Sequence, residues 1–173
     1  IVKLAKEIKE IAYLLESSTE WMKIVGSSAL EICDGMGSYK VFNRMANYKI
    51  TLEKFGEVDL CNYVNLNEND KLQVLKMRNH SEVRKWMYSQ DSISKIDHFN
   101  FIKSLESDID RCYFLIKQKE IIIGSVNFAN IRSNKLAVFG FYANPFEKIL
   151  GAGRILELTS LHFIFRELNL SKL

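Results

Sequence analysis

Phe139-Gly140-Phe141-Tyr142-Ala143-Asn144-Pro145-Phe146-Glu147-Lys148-Ile149-Leu150-Gly151-Ala152-Gly153-Arg154 reads as the end of a strand, a loop, and the opening of a helix. The backbone N–H groups at a helix start have no acceptor within the helix and point outward. With the helix dipole they make an anion site suited to a pyrophosphate. Glycine at 151 and 153 lets the backbone come close to such a ligand. Lys148 and Arg154 add positive charge nearby, so the amides of Leu150, Gly151, Ala152, Gly153 and Arg154 form the candidate phosphate cradle. Two glycines alone fit an ordinary strand-to-helix turn as well, so the neighbouring elements decide.

Three strands lead into this stretch. They are predicted over 112–117, 121–128 and 135–142, with Gln118-Lys119-Glu120 as the first turn and Gly124 as a bulge or close-approach point. A further strand is predicted over 58–66. Asn67 caps a helix that carries Leu72, Leu75 and Met77 to Arg78. A short helix after Ser81 is expected to carry Trp86 and Met87, and another spans 97–105. The order from residue 58 is β-α-α-α-β-β-β-loop-α, an α+β arrangement with a mostly antiparallel sheet flanked by helices. An antiparallel run before the glycines argues against a dinucleotide-binding βαβ unit. Residues 1–46 read as helices with no strand, broken at Asp34-Gly35-Met36-Gly37, and 47–57 as a linker, within which Tyr48 to Phe55 also suits a strand.

The chain has 173 residues, of which 47% are hydrophobic and 26% charged, so it holds one sizeable core plus part of a second domain. A net charge of +3 does not call for nucleic acid, though it would help attract a small anion. Cys33, Cys61 and Cys112 are scattered, as reduced cytoplasmic thiols are. No apolar run suits a membrane span and no signal peptide is read. His80, His98 and His162 lack metal-ligand spacing, and no serine or cysteine nucleophile motif occurs, so neither a metal nor a covalent intermediate is expected.

Lys148-x-x-Gly151-x-Gly153 resembles the pyrophosphate loop of GNAT-type N-acetyltransferases, Gln/Arg-x-x-Gly-x-Gly/Ala, with lysine at its first position. The resemblance implies acetyl-CoA as donor. It also implies that the strand before the loop pairs its backbone with the pantetheine arm, here Phe139, Gly140, Phe141, Tyr142 and Ala143. A narrower resemblance rests on Arg78-Asn79-His80, Trp86-Met87-Tyr88-Ser89, His98-x-x-Phe101, Tyr113-Phe114-Leu115, Ile123-Gly124-Ser125 and Phe139-Gly140-Phe141-Tyr142-Ala143-Asn144-Pro145. These segments look like the N-acetyltransferases of pseudaminic acid biosynthesis, which acetylate the 4-amino group of a UDP-linked 4-amino-4,6-dideoxy sugar. Arg78, Met87, Tyr88, His98, Phe101, Ser125 and Asn127 are then the substrate-binding candidates. Read without the family, Arg78 also suits a helix C-cap, Met87 a core position, His98 a satisfied core or surface histidine, and Ser125 with Asn127 a solvent-facing pair.

In the family a tyrosine on a later helix usually protonates the departing thiolate. It is expected beyond residue 173, which leaves the catalytic residue unassigned and the domain (58–173) C-terminally truncated. Ile32-Cys33-Asp34-Gly35-Met36-Gly37-Ser38-Tyr39-Lys40-Val41 resembles the C-terminal tail of GT-B-type glycosyltransferases and of the UDP-sugar hydrolase of the same pathway. The expectation is therefore a hydrolase–acetyltransferase fusion, cytoplasmic, with a homodimer as one expected assembly. The rival readings are a GNAT domain acting on a protein N-terminus or another amine, and a non-catalytic CoA-binding module.

Overall fold

The computed structural model describes residues 46–131 and 137–168. The chain divides into two units, Ile1–Val41 and Phe42–Leu173, and every described residue belongs to the second. The helices expected over 1–45, the Asp34-Gly35-Met36-Gly37 break, Cys33 and the predicted strand start at Lys135 lie outside the described residues.

One sheet is built of β1 (Tyr48–Leu52), β2 (Gly56–Asn62), β3 (Cys112–Gln118), β4 (Ile121–Ala129) and β5 (Val138–Ala143); burial alternates along β1 and β2, while β3 and β4 at the centre bury unbroken runs. The spatial order is β1-β2-β3-β4-β5, and every neighbouring pair is antiparallel. The stretch 47–57 is therefore not a linker. Ile50 and Leu52 point into the core, Gly56 takes a left-handed φ of 79° at the turn, and β1 pairs with β2 from Tyr48↔Leu60 to Leu52↔Gly56. The side-chain amide of Gln118 donates to the Phe55 carbonyl and fastens that turn to β3.

Among the described residues four helices flank the sheet: α1 (Glu68–Asn79), α2 (Ser81–Arg84), α3 (Lys95–Ser104) and α4 (Ala152–His162), the last continuing as a π-turn over Phe163–Glu167. Asn67 caps α1 as its sequence suggests, its Oδ1 accepting from the Asp70 amide at 2.8 Å. His80 is shared between elements, ending α1 and capping α2 by accepting from the Glu82 amide. The short helix stops at Arg84, so Trp86 and Met87 do not ride on it; their amides close turns onto Val83 and Arg84. The strand expected over 58–66 ends at Asn62, whose side chain caps a single 3₁₀ turn, Tyr63–Asn65. The strand expected from 135 is assigned from Val138.

The two sheet faces carry separate cores. Val58, Leu60, Phe114, Ile116, Val126 and Phe128 pack on one face against Ile155, Leu156, Phe163 and Ile164 of α4 and its π-turn. On the other, Leu115 packs with Tyr63, Leu66, Val74, Met77, Ile102 and Leu105. At the β3–β4 hairpin Lys119 and Glu120 take left-handed φ values of 47° and 66°, the pattern of a two-residue type I′ loop. Ile116 pairs with Gly124 and Lys117 with Ile122, so Ile123 is an extra residue and β4 bulges there.

Candidate active site

The bulge decides what β4 presents. Beyond it Ser125 and Asn127 fall on the α1–α3 face, while Val126 and Phe128 fall on the α4 face. Gly124 has no room for a side chain: a Cβ there would lie 2.2 Å from the Tyr142 carbonyl oxygen and 2.9 Å from the Ala143 Cα. The glycine therefore lets β5 close onto β4, with Ser125 opposite Tyr142 and Asn127 opposite Gly140. Gly140 leaves space that the Asn127 side chain fills, its Oδ1 lying 3.0 Å from where a Cβ would stand.

Above this floor is a cleft of about 910 Å³. Arg78, Met87, Tyr88, His98, Phe101, Ser125 and Asn127 all line it, as do Phe139, Gly140, Phe141, Tyr142 and Ala143. The sequence-predicted acceptor residues and the predicted pantetheine strand thus share one cavity. Its outer wall is the 85–94 segment. Asn79 clamps that segment by two 2.8 Å bonds, donating to the Ile93 carbonyl and accepting from the Ile93 amide. Arg78 holds it too, its Nη2 donating to the Ser89 carbonyl at 3.1 Å. The other guanidinium nitrogen, Nη1, is buried with no hydrogen-bond partner among the described residues. Trp86 and Tyr88 stand exposed at the rim rather than in a core.

His98 is buried at the cleft wall and its Nε2 donates to the Lys71 carbonyl at 2.9 Å. Burial pushes its pKa down; the bond to Lys71 opposes this and the Lys71 charge adds to it. It is the satisfied histidine the sequence allowed, while still forming part of the cavity.

Tyr63 was missed by sequence reading. From its 3₁₀ turn its hydroxyl reaches Ser125 Oγ at 2.6 Å and the Tyr142 hydroxyl at 3.5 Å. Burial raises the pKa of both tyrosines, that of Tyr63 well above its ordinary value. Both therefore stay protonated at neutral pH. The signal for Tyr63 was only an apolar-strand residue next to Asn62, and its partners lie 62 and 79 positions away.

The glycine loop opens α4 beyond the end of β5. Gly151 is the N-cap in the left-handed region (φ 80°), with no side-chain cap. The Ala152 amide turns back to the Ile149 carbonyl at 3.2 Å, and the first helical bond is Ile155 to Gly151 at 2.9 Å. Helix geometry leaves the Gly153 and Arg154 amides without intrahelical acceptors. A Cβ at Gly153 would meet nothing within 4 Å, so the protein itself leaves that space open. Ala152 is buried, Lys148 and Leu150 are exposed, and Arg154 pairs with Glu157 at 2.6 Å. The Arg154 side chain lines a groove on the β1 side of α4, not the cleft. Open space, amides lacking acceptors and a positive helix end fit the pyrophosphate of a CoA thioester. Among the described residues no group of three or more His, Cys, Asp or Glu side chains could hold a metal, and no helix is long and apolar enough to cross a membrane.

No family model matches the chain. Acetyltransferase PseH of Campylobacter jejuni is 34% identical over 116 residues, covering 67% of this chain and 71% of that protein. The crystal structure of Campylobacter jejuni N-acetyltransferase PseH in complex with acetyl coenzyme A superposes with a TM-score of 0.51 at 30% identity, covering 65% of this chain and 71% of that one. A GNAT-family acetyltransferase from Bacillus anthracis shares the fold, with a TM-score of 0.53 at 17% identity over 71% of this chain and 69% of that one.

Proposed function

We propose that this chain, which belongs to the GNAT N-acetyltransferases related to PseH, moves the acetyl group of acetyl-CoA to the amino group of a nucleotide-linked amino-deoxy sugar. The observation that carries the sugar reading is the single cleft shared by Arg78, Met87, Tyr88, His98, Phe101, Ser125 and Asn127 beside β5. A nucleotide sugar presents phosphates, a base and a ring bearing hydroxyls. The cleft offers a cation with an unpartnered donor for the first, the exposed rings of Trp86 and Tyr88 and the half-buried Met87 thioether for the second, and hydroxyl and amide groups for the third.

The chain's residues divide the work. The amides of Gly153 and Arg154 hold the pyrophosphate of the donor, and the backbone of Phe139 to Ala143 lies along its pantetheine arm. That donor supplies the activated acetyl group. Arg78 orients the acceptor through its phosphates, and the hydroxyls of Ser125 and Tyr142 receive the sugar end. The acceptor amine attacks only as the neutral base, so it must lose its proton before it reaches the thioester carbonyl. The reading extends to a cytoplasmic enzyme, to a homodimer, and to residues 1–46 as the tail of a UDP-sugar hydrolase domain preceding the acetyltransferase domain.

The test is an acceptor panel assayed by CoA-thiol release. A UDP-linked 4-amino-4,6-dideoxy sugar should be turned over, and a peptide bearing a free N-terminus should not. Turnover of the peptide alone would overturn the sugar reading and leave a GNAT enzyme acting on another amine. Binding of CoA without turnover of any amine would favour a non-catalytic module.

A further inference from the structure

Tyr63 is buried at 3% exposure, its ring tilted against Tyr113 with centroids 5.6 Å apart, so its hydroxyl is held in place by packing. That hydroxyl stands between Ser125 Oγ and the Tyr142 hydroxyl, at 2.6 and 3.5 Å. Tyr63, Ser125 and Tyr142 all line the cleft. Each hydroxyl carries one hydrogen to donate and lone pairs to accept. Two of the three hydrogens span the two gaps, and the third points out of one end. If the chain runs from Ser125 through Tyr63 to Tyr142, then Tyr142 offers a hydrogen to the cleft. If it runs from Tyr142 through Tyr63 to Ser125, then Tyr142 offers a lone pair. Only the second direction leaves the lone pair of a bound amine free to attack, because a hydrogen offered by Tyr142 would be taken by that lone pair.

We infer that Tyr63 is a positioning residue that, with Ser125, orients the Tyr142 hydroxyl so that its lone pair accepts an N–H of the acceptor amine. The inference rests on the acetyltransferase reading above. No bond of the three side chains breaks. An amine held by one N–H has its own lone pair turned away from Tyr142, toward the neighbouring β5 edge where the thioester is assigned. Such alignment acts on the chemical step rather than on donor binding. A phenylalanine at 63 keeps the ring packing and removes only the middle hydroxyl, which leaves Tyr142 free to rotate.

The experiment compares wild type, Tyr63→Phe, Tyr142→Phe, the double variant and Ser125→Ala. It measures kcat and KM on both a UDP-linked 4-amino-4,6-dideoxy sugar and an N-terminal peptide amine, using whichever is turned over. Losing one aligned hydrogen bond corresponds to about a 5- to 10-fold change. Tyr63→Phe should therefore lower kcat by that factor and leave the acetyl-CoA KM within about twofold. The double variant should be no slower than Tyr142→Phe, because the two hydroxyls act as one unit. Should Tyr63→Phe also weaken acetyl-CoA binding, Ser125→Ala reads the other end of the chain and should show the same kcat-only loss. Wild-type kcat in Tyr63→Phe, or multiplicative losses in the double variant, overturns the inference. Turnover of the peptide instead of the sugar overturns the substrate reading, while the kcat comparison still decides the role of Tyr63.

Discussion

Gly153→Val separates stability from donor binding. Position 153 is the second residue of α4, with ordinary helical backbone and nothing within 4 Å of an added Cβ. Valine ranks above glycine as a helix residue, so the substitution should leave stability unchanged or raise it by about 0.3 kcal/mol. Yet its methyl groups would occupy the space before the Gly153 and Arg154 amides. Hydrogen bonds to a charged group contribute about 1.5–3 kcal/mol each. Blocking one should weaken CoA affinity about 10- to 100-fold. Gly151→Val should behave differently. Its left-handed φ of 80° strains any side chain, and a Cβ would stand 3.2 Å from the Phe55 ring. Strain of about 1–2 kcal/mol should therefore appear in unfolding as well as in binding. Calorimetric titration with CoA, paired with thermal unfolding of both variants, reads the two quantities independently. Unchanged affinity in Gly153→Val at unchanged stability would refute the assignment of the pyrophosphate to these amides.

Gly124→Ala should destabilise by about 3 kcal/mol or more, since the new methyl collides with β5 backbone instead of a flexible side chain; urea unfolding showing less than about 0.5 kcal/mol would mean that β5 shifts freely. Lys117→Met leaves Asp70 without its partner at 2.9 Å in a mostly buried site, and should cost about 3 kcal/mol by the same measurement. The Lys117 pKa is raised: burial lowers it, but the hydrogen bond and charge of Asp70 outweigh that. Its stabilisation is therefore present below pH 10.5 and lost as pH rises through the folded value, so wild type and Lys117→Met should converge only in strong alkali. His98 has the opposite sign. Its pKa falls below 6.5 in the fold, so the unfolded chain binds the extra proton first and stability declines as pH drops below 6.5; His98→Gln should flatten that decline in unfolding measured from pH 7 to pH 5.

Much of the fold was legible because its signals are local. The short apolar runs within Cys112–Gln118 and Ile121–Ala129, the Asn67 cap and the paired glycines at 151 and 153 each lie within one short window. The sequence leaves Tyr48 to Phe55 open between strand and linker, because β1 spans only 5 residues and buries only Ile50 and Leu52. What makes it a strand is pairing with β2, which propensity does not show. The acceptor candidates were legible only as segments in order. Periodicity said nothing about Arg78, Tyr88 and Asn127 meeting in one cleft, because they sit on α1, the 85–94 segment and β4, far apart along the chain. Tyr63 had no signal beyond its place in an apolar strand segment: its contacts depend on a turn that re-aims one side chain toward partners far along the chain.

Two strand glycines explain why that convergence occurs on the β4–β5 floor. A bulge at Ile123 changes which face the rest of β4 presents, and it alone would turn Ser125 and Asn127 toward the α1–α3 side. It would not bring Tyr142 to them. Gly124 removes the Cβ that would hold β5 away, and Gly140 removes the Cβ that would displace Asn127. With both gaps closed, Ser125 lies directly opposite Tyr142, and the 3₁₀ turn after β2 places Tyr63 between them. Glycine within a strand weakens pairing on its own. Here that local cost is offset by a close strand approach that lets three hydroxyls meet beside the edge assigned to the acetyl donor. A substitution that restored strand propensity at 124 or 140 would thus improve the sheet locally while dismantling the site it supports.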